Sequence, residues 1–119
     1  MNAQMIGLLG ETAAAKLYRS LGYSVIAANF RTRLGEIDLI VERKKHLVFA
    51  EVKTRATDCC ALPREAVTVT KQRRLLAAAN EYLSRLEWEP STICFDVVEV
   101  FHDGDKVIRI NRIENAFEE

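Results

Sequence analysis

No run of apolar residues in this chain approaches the uninterrupted length that a membrane-spanning helix needs, so no membrane span is expected. The opening stretch, MNAQMIGLLGETAAAKLYRS, has no basic leader ahead of a long apolar core and is broken by Glu11 and Lys16, so no signal peptide is expected either. Cysteine is scarce. Cys59 and Cys60 are adjacent and Cys94 stands alone, which fits neither a disulfide framework nor a zinc spacing. The odd count points to reduced thiols and a cytoplasmic protein. Net charge is absent too: Lys plus Arg and Asp plus Glu each number 17, so any contact with a polyanion must rest on local charge.

Histidine is limited to His46 and His102, both near expected strand turns and away from the charged edge described below. A serine or cysteine nucleophile would therefore lack a base, and both histidines read as surface residues. Gly7 and Gly10 fall inside a helical pattern and make no phosphate loop, while Trp88 and Phe95 read as core rather than as base-stacking groups. Repeats and low-complexity segments are missing. What remains is one domain over residues 1–119, long enough for a single layered core, with the 49% hydrophobic and 29% charged content of an ordinary soluble protein.

Ile6, Leu9, Ala13, Leu17 and Leu21 recur at helical spacing and Gly22 stops the run, which predicts a first helix over about Gln4 to Leu21. YSVIAANFR reads as a strand, RTRLG (31–35) as a turn, and EIDLIVERKKHLVFAEVKTR (36–55) as a hairpin. Residues 55–69, with Pro63, read as an irregular connection. Thr70 is expected to cap a second helix through about Leu86, whose apolar stripe includes Leu75, Ala79 and Leu83. ICFDVVEVF and KVIRI form two more strands around the Asp103-Gly104 turn signal, and the acidic tail from Glu114 to Glu119 is expected to fray. The order α-β-β-β-α-β-β predicts an α/β fold with a central mixed sheet. Strands one to three form a meander, the second helix crosses over to a fourth strand parallel to the third, and helices cover both faces.

The hairpin raises the chemical question. Alternation puts Ile37, Leu39, Val41, Val48, Ala50 and Val52 on one face. If the turn centres on Lys44-Lys45, the other face sets Ile40 against Phe49, Asp38 against Glu51 and Glu36 against Lys53. Opposed carboxylates with Cβ atoms about 4.5–5.5 Å apart repel. A Mg²⁺ or Mn²⁺ ion between Asp38 and Glu51 would remove that cost, because both ions favour oxygen ligands. Lys53, two residues past Glu51, would then reach a water or a phosphate oxygen, a set suited to metal-assisted phosphodiester hydrolysis. The plain alternative is a solvated strand end with Glu36 and Lys53 as a surface ion pair. It accounts poorly for Asp38 opposite Glu51.

The same edge gathers basic residues: Arg31 and Arg33 in the turn, Arg55 and Arg64 after the third strand, and Lys71, Gln72, Arg73 and Arg74 at the start of the second helix. Cations there oppose the helix dipole but would add to an anion site. Taken singly, each reads as a solvated surface charge.

At GEIDLI…FAEVKTR…EAVTVTKQRR the sequence resembles the YraN family of small bacterial proteins, of the restriction-endonuclease-like, or PD-(D/E)XK, nuclease superfamily. The resemblance runs from LGETAAAKLYRSLGY to FDVVEV, and the layout is similar to that of archaeal Holliday junction resolvases. It implies a three-layer α/β/α restriction-endonuclease-like fold and a metal-dependent nuclease acting on DNA, branched or structured DNA included. Asp38 and Glu51 would be metal ligands, Lys53 the catalytic lysine, and Gln72 a phosphate or active-site contact. Spacing alone makes Glu11 a surface residue; the resemblance makes it the helical glutamate that completes the metal site. Ile37 stands where the motif name has proline. Arg31, Arg33, Arg55, Lys71 and Arg73 would position the DNA backbone. Cutting two strands would benefit from a two-fold homodimer. The rival readings are a nucleic-acid-binding or adaptor protein that keeps the fold without turnover, and a structural partner in a larger complex.

Overall fold

Helix α1 (Ala3–Ser20) starts where Asn2 accepts the Met5 N–H at 2.9 Å. It ends in a Schellman turn: the Gly22 N–H reaches Arg19 O, the Tyr23 N–H reaches Tyr18 O, and Gly22 takes φ 91. The computed structural model describes residues 2–57 and 68–116. Residues 58–67, which carry Cys59, Cys60, Pro63 and Arg64, lie outside that range, as do Met1 and residues 117–119.

Strands β1 (Ser24–Arg31), β2 (Glu36–Arg43) and β3 (His46–Ala56) form an antiparallel meander. The β2–β3 hairpin turns on Lys44 and Lys45, both left-handed at φ 51 and 65, with Arg43 paired to His46 and Ile40 to Phe49. Helix α2 (Val69–Arg85) then leads to β4 (Thr92–Asp103), which lies parallel to β3, and β5 (Lys106–Ile113) closes the other edge. The result is a mixed five-stranded sheet in the order β1-β2-β3-β4-β5 with two helices.

Neighbouring residues of β3 separate the two faces. Val48 and Ala50 pack with Ala14, Ala15 and Tyr18 of α1. Leu47 and Phe49 pack with Leu75, Ala78 and Ala79 of α2, joined by Phe95. Trp88 lies against this second cluster, so both it and Phe95 serve packing.

Four expectations need correction. The α2 cap is Thr68, which accepts the Lys71 N–H at 3.2 Å, two residues ahead of Thr70. Ile37 belongs to the cluster under α2, opposite Leu39 and Val41, because the pleat resets between residues 37 and 39. His102 is buried at the end of β4, level with Ala56 of β3, and its Nδ1 lies 2.9 Å from Gly104 O across the β4–β5 turn. The tail is held through Ala116: the Asn115 N–H donates to Asp96 Oδ1 at 3.0 Å, and the Ala116 N–H donates to Phe95 O at 2.7 Å.

Candidate functional site

The β2–β3 ladder runs from Arg43↔His46 to Leu39↔Ala50 and goes no further. Where it stops, Asp38 turns its carboxylate toward β3, and Oδ2 accepts the Val52 N–H at 2.7 Å. A side-chain oxygen thus takes the place of a ladder carbonyl. On the other flank Asn29 lies between the pairs Ala28↔Leu39 and Phe30↔Ile37, in the left-handed region at φ 52. That reversal on β1 coincides with the face change of Ile37 on β2, and Asp38 sits at the crossover.

Glu51 follows on β3, interacting directly with the Asp38 carboxyl. Burial, then the charge of Glu51, pushes Asp38 up to about 7 against the pull of the Val52 N–H. Glu11 adds a smaller push in the same direction, so it lies electrostatically close. It comes from α1, which crosses so near β3 that a side chain at Gly10 would run into Thr54. Its Oε1 accepts from Asn29 Nδ2 at 3.0 Å. The structure therefore brings Glu11, Asp38 and Glu51 into one electrostatic neighbourhood from α1, β2 and β3. Among the described residues no three His, Cys, Asp or Glu side chains are drawn together tightly enough to close on an ion as they stand.

Lys53 lies beyond Glu51 on the same strand face, with Nζ 3.1 Å from Glu51 Oε1 and both side chains about four-fifths covered. The opposed partner expected for it, Glu36, instead pairs with Arg31 at 3.1 Å on the surface. Burial works to strip the Lys53 proton, but the hydrogen bond with Lys71 and the charges of Glu51 and Asp38 outweigh it and hold the ammonium above the ordinary lysine value. Lys71, in the first turn of α2, shifts the other way: its hydrogen bond with Lys53, then burial, makes it the easier of the two to deprotonate.

An open cleft of about 570 Å³ lies over this group, lined by Arg31, Arg33, Glu51, Lys53, Lys71 and Arg74 among others. Its wall is the β1–β2 turn, which approaches α2 so closely that a Cβ at Gly35 would strike the Arg74 carbonyl. Two of the expected backbone-positioning residues are elsewhere. Arg73 is exposed on α2 and does not line the cleft; its neighbour Arg74 does. Arg55 is largely buried, with Nε 3.8 Å from Glu99 Oε2, so it belongs to an internal charge pair. Gln72, partly buried, lies in the same first turn, and its N–H bonds to Thr68 O at 2.9 Å.

Sequence reasoning missed Glu99, and it placed Arg74 at the basic edge but chose Arg73 in its stead to position the DNA backbone. Glu99 is 0% exposed, stands beside Lys53 in the parallel ladder and accepts from Asn111 Nδ2 at 2.9 Å. A lone glutamate inside VVEVF was its signal. Arg74 was legible from its three-residue spacing to Lys71, which puts both on one helix face.

The sequence comparisons point one way. The profile described as "Uncharacterised protein family UPF0102" matches residues 10–100. A UPF0102 protein of Symbiobacterium thermophilum is 49% identical, over 97% of this chain and 98% of its own length. One from Syntrophomonas wolfei is 43% identical, over 98% of this chain and 100% of its own, and one from Caldicellulosiruptor saccharolyticus is 40% identical over the same shares. With matches that span nearly the whole of each protein, the chain belongs to the UPF0102 family.

Proposed function

We propose that this protein is a metal-dependent endonuclease that hydrolyses phosphodiester bonds in DNA, as its resemblance to the YraN proteins and the PD-(D/E)XK nucleases implies. The observation that carries the reading is Asp38. Its carboxyl is pushed up to about 7 by burial and by Glu51, and it sits where two strands part, beside Glu51, which lines a cleft together with Lys53, Lys71 and Arg74. The groups that act on it most after burial include the carboxylates Glu51 and Glu11, neighbours that a purely structural carboxylate would not favour.

The donor set fits a hard dication, since Asp38, Glu51 and Glu11 offer only oxygen ligands and Asp38 keeps a proton that a cation would displace. Asp38 and Glu51 would hold Mg²⁺ or Mn²⁺, with Glu11 completing the set. The ion would supply Lewis-acid stabilisation of the phosphoryl oxygens and a stronger water nucleophile. Lys53, held as an ammonium, suits orienting that water and steadying the negative charge that develops on the phosphate. Lys71 and Arg74 at the start of α2 and Arg31 and Arg33 in the turn face the same cleft, where they would grip flanking phosphates.

The test is a cleavage panel of duplex, single-stranded, flap and four-way-junction DNA with Mg²⁺ and with Mn²⁺, run beside calorimetry of Mn²⁺ binding. Wild type should cut at least one substrate only when the cation is present. Glu51→Ala should lose both cleavage and Mn²⁺ binding, whereas Lys53→Ala should lose cleavage and still bind Mn²⁺. Equal cutting by Lys53→Ala would overturn the mechanism. DNA binding with no cutting of any substrate would hand the lead to a non-catalytic binding protein that keeps the fold.

A further inference from the structure

The β1–β2 turn separates two clefts. The second, of about 900 Å³, lies on the far side of the turn and is lined by Asn80, Glu81, Ser84 and Arg85 of α2, among others, with Arg85 Nε 3.2 Å from Glu81 Oε2. The clefts share Arg31, Thr32, Arg33 and Leu34, so the turn is the ridge between them. At its crest Leu34 is 69% exposed, the most exposed large apolar side chain among the described residues.

The ridge is pinned. The Thr32 N–H donates to Gly35 O at 2.8 Å, and Thr32 Oγ1 accepts from both the Leu34 and Gly35 N–H groups at 3.1 Å. Gly35 is pressed against the Arg74 carbonyl of α2, where no side chain would fit. An apolar group at the tip of such a turn gains little from folding, because it stays largely in water. A rigid apolar point flanked by arginines, with an open cleft on each side, is instead shaped to enter a base step.

We infer that Leu34 is a wedge that inserts into an unstacked or branched step of DNA, sending one arm along the Lys53–Lys71 cleft and the other along the Ser84–Arg85 cleft. This deepens, and rests on, the nuclease reading above, for it names the feature of the substrate that is recognised. Arg31 and Arg33 hold the phosphates on either side of the opened step. Continuous duplex must first be unstacked, a cost that a junction or flap has already met at its branch point. The consequence is a preference for branched DNA that resides in Leu34 and not in the basic residues.

The experiment uses the full-length protein without divalent cation, with 2-aminopurine placed at the branch point of a four-way junction or flap, or within a continuous duplex of the same sequence. Wild type should raise the branch-point fluorescence and bind branched DNA about tenfold more tightly than duplex. Leu34→Ser should abolish the fluorescence rise and the preference while keeping duplex affinity within about twofold, and Leu34→Phe should restore both. Circular dichroism melts of both variants confirm folding. If Leu34→Ser keeps the rise and the preference, or if wild type binds DNA without unstacking it, the wedge is overturned and the nuclease reading stands. If wild type binds none of these DNAs, both fall.

Discussion

Asp38 is a residue whose folded and unfolded forms disagree about a proton. The unfolded chain releases it near the ordinary value of 3.8, whereas the folded chain keeps it to about 7, first because the group is buried and then because Glu51 is beside it. Between those pH values the folded state binds a proton that the unfolded state lacks, so stability falls as pH rises through the window. The contribution is complete below 3.8 and lost above about 7. Asp38→Asn keeps an oxygen for the Val52 N–H while removing the charge. It should raise stability at pH 8 by about 1–3 kcal/mol and flatten the slope between pH 4 and 7, read from urea unfolding at several pH values. Mn²⁺ should do the same for wild type by taking the place of the proton, and it should do nothing for the variant. A variant several kcal/mol less stable than wild type would mark Asp38 as scaffold.

Among the elements, the first turn of α2 and the β1–β2 turn supply the basic walls of the cleft, and the helical period decides which residues count. Lys71 and Arg74, three apart, face the cleft, while Arg73 does not line it. Arg74→Ala should therefore weaken DNA binding by about 1 kcal/mol across unrelated sequences and lower the salt slope by roughly one, whereas Arg73→Ala should change both much less. Fluorescence anisotropy over a range of salt concentrations measures the difference; equal losses from both would mean that the cleft does not select Arg74, and no loss from either would remove α2 from the interface. The hairpin was legible because two basic residues between alternating apolar runs fix one turn centre, and from it follow the register, the opposed strands and the mixed sheet. The face switch at Ile37 was not legible. It depends on the left-handed backbone of Asn29, a residue that most strands would accommodate in extended form. Arg55 was misread for a related reason: its partner Glu99 lies on β4, and only the parallel ladder brings the two strands together.

Across the whole molecule, a buried carboxylate and a half-buried one of opposite fate separate scaffold from site. Asp96, 1% exposed beneath α1, is fully engaged: it accepts from Tyr18 Oη at 2.7 Å, from Arg112 Nε at 3.0 Å and from the Asn115 N–H at 3.0 Å. Those bonds tie α1, β4, β5 and the C-terminal segment to one point. Burial and Asp96 push the Tyr18 hydroxyl well above its ordinary range, so it stays a donor. Arg112 also lies over the rings of Tyr18 and Tyr23, at 5.2 and 5.8 Å from their centroids. Removing that guanidinium leaves a buried charge without its cation, so Arg112→Ala should cost about 3 kcal/mol or more. Pairing Asp96→Asn with Arg112→Met, which removes both charges and keeps the volume, should recover much of the loss, as a double-mutant cycle in urea would show. Asp38 should behave in the opposite sense, because neutralising it alone relieves a repulsion. Asp96 has three hydrogen-bond donors, whereas Asp38 has the Val52 N–H and stands beside Glu51 and Glu11, which is the contrast on which the proposed cation site rests. If Asp38→Asn and Asp96→Asn lose stability alike, that distinction fails and Asp38 becomes one more scaffold acid.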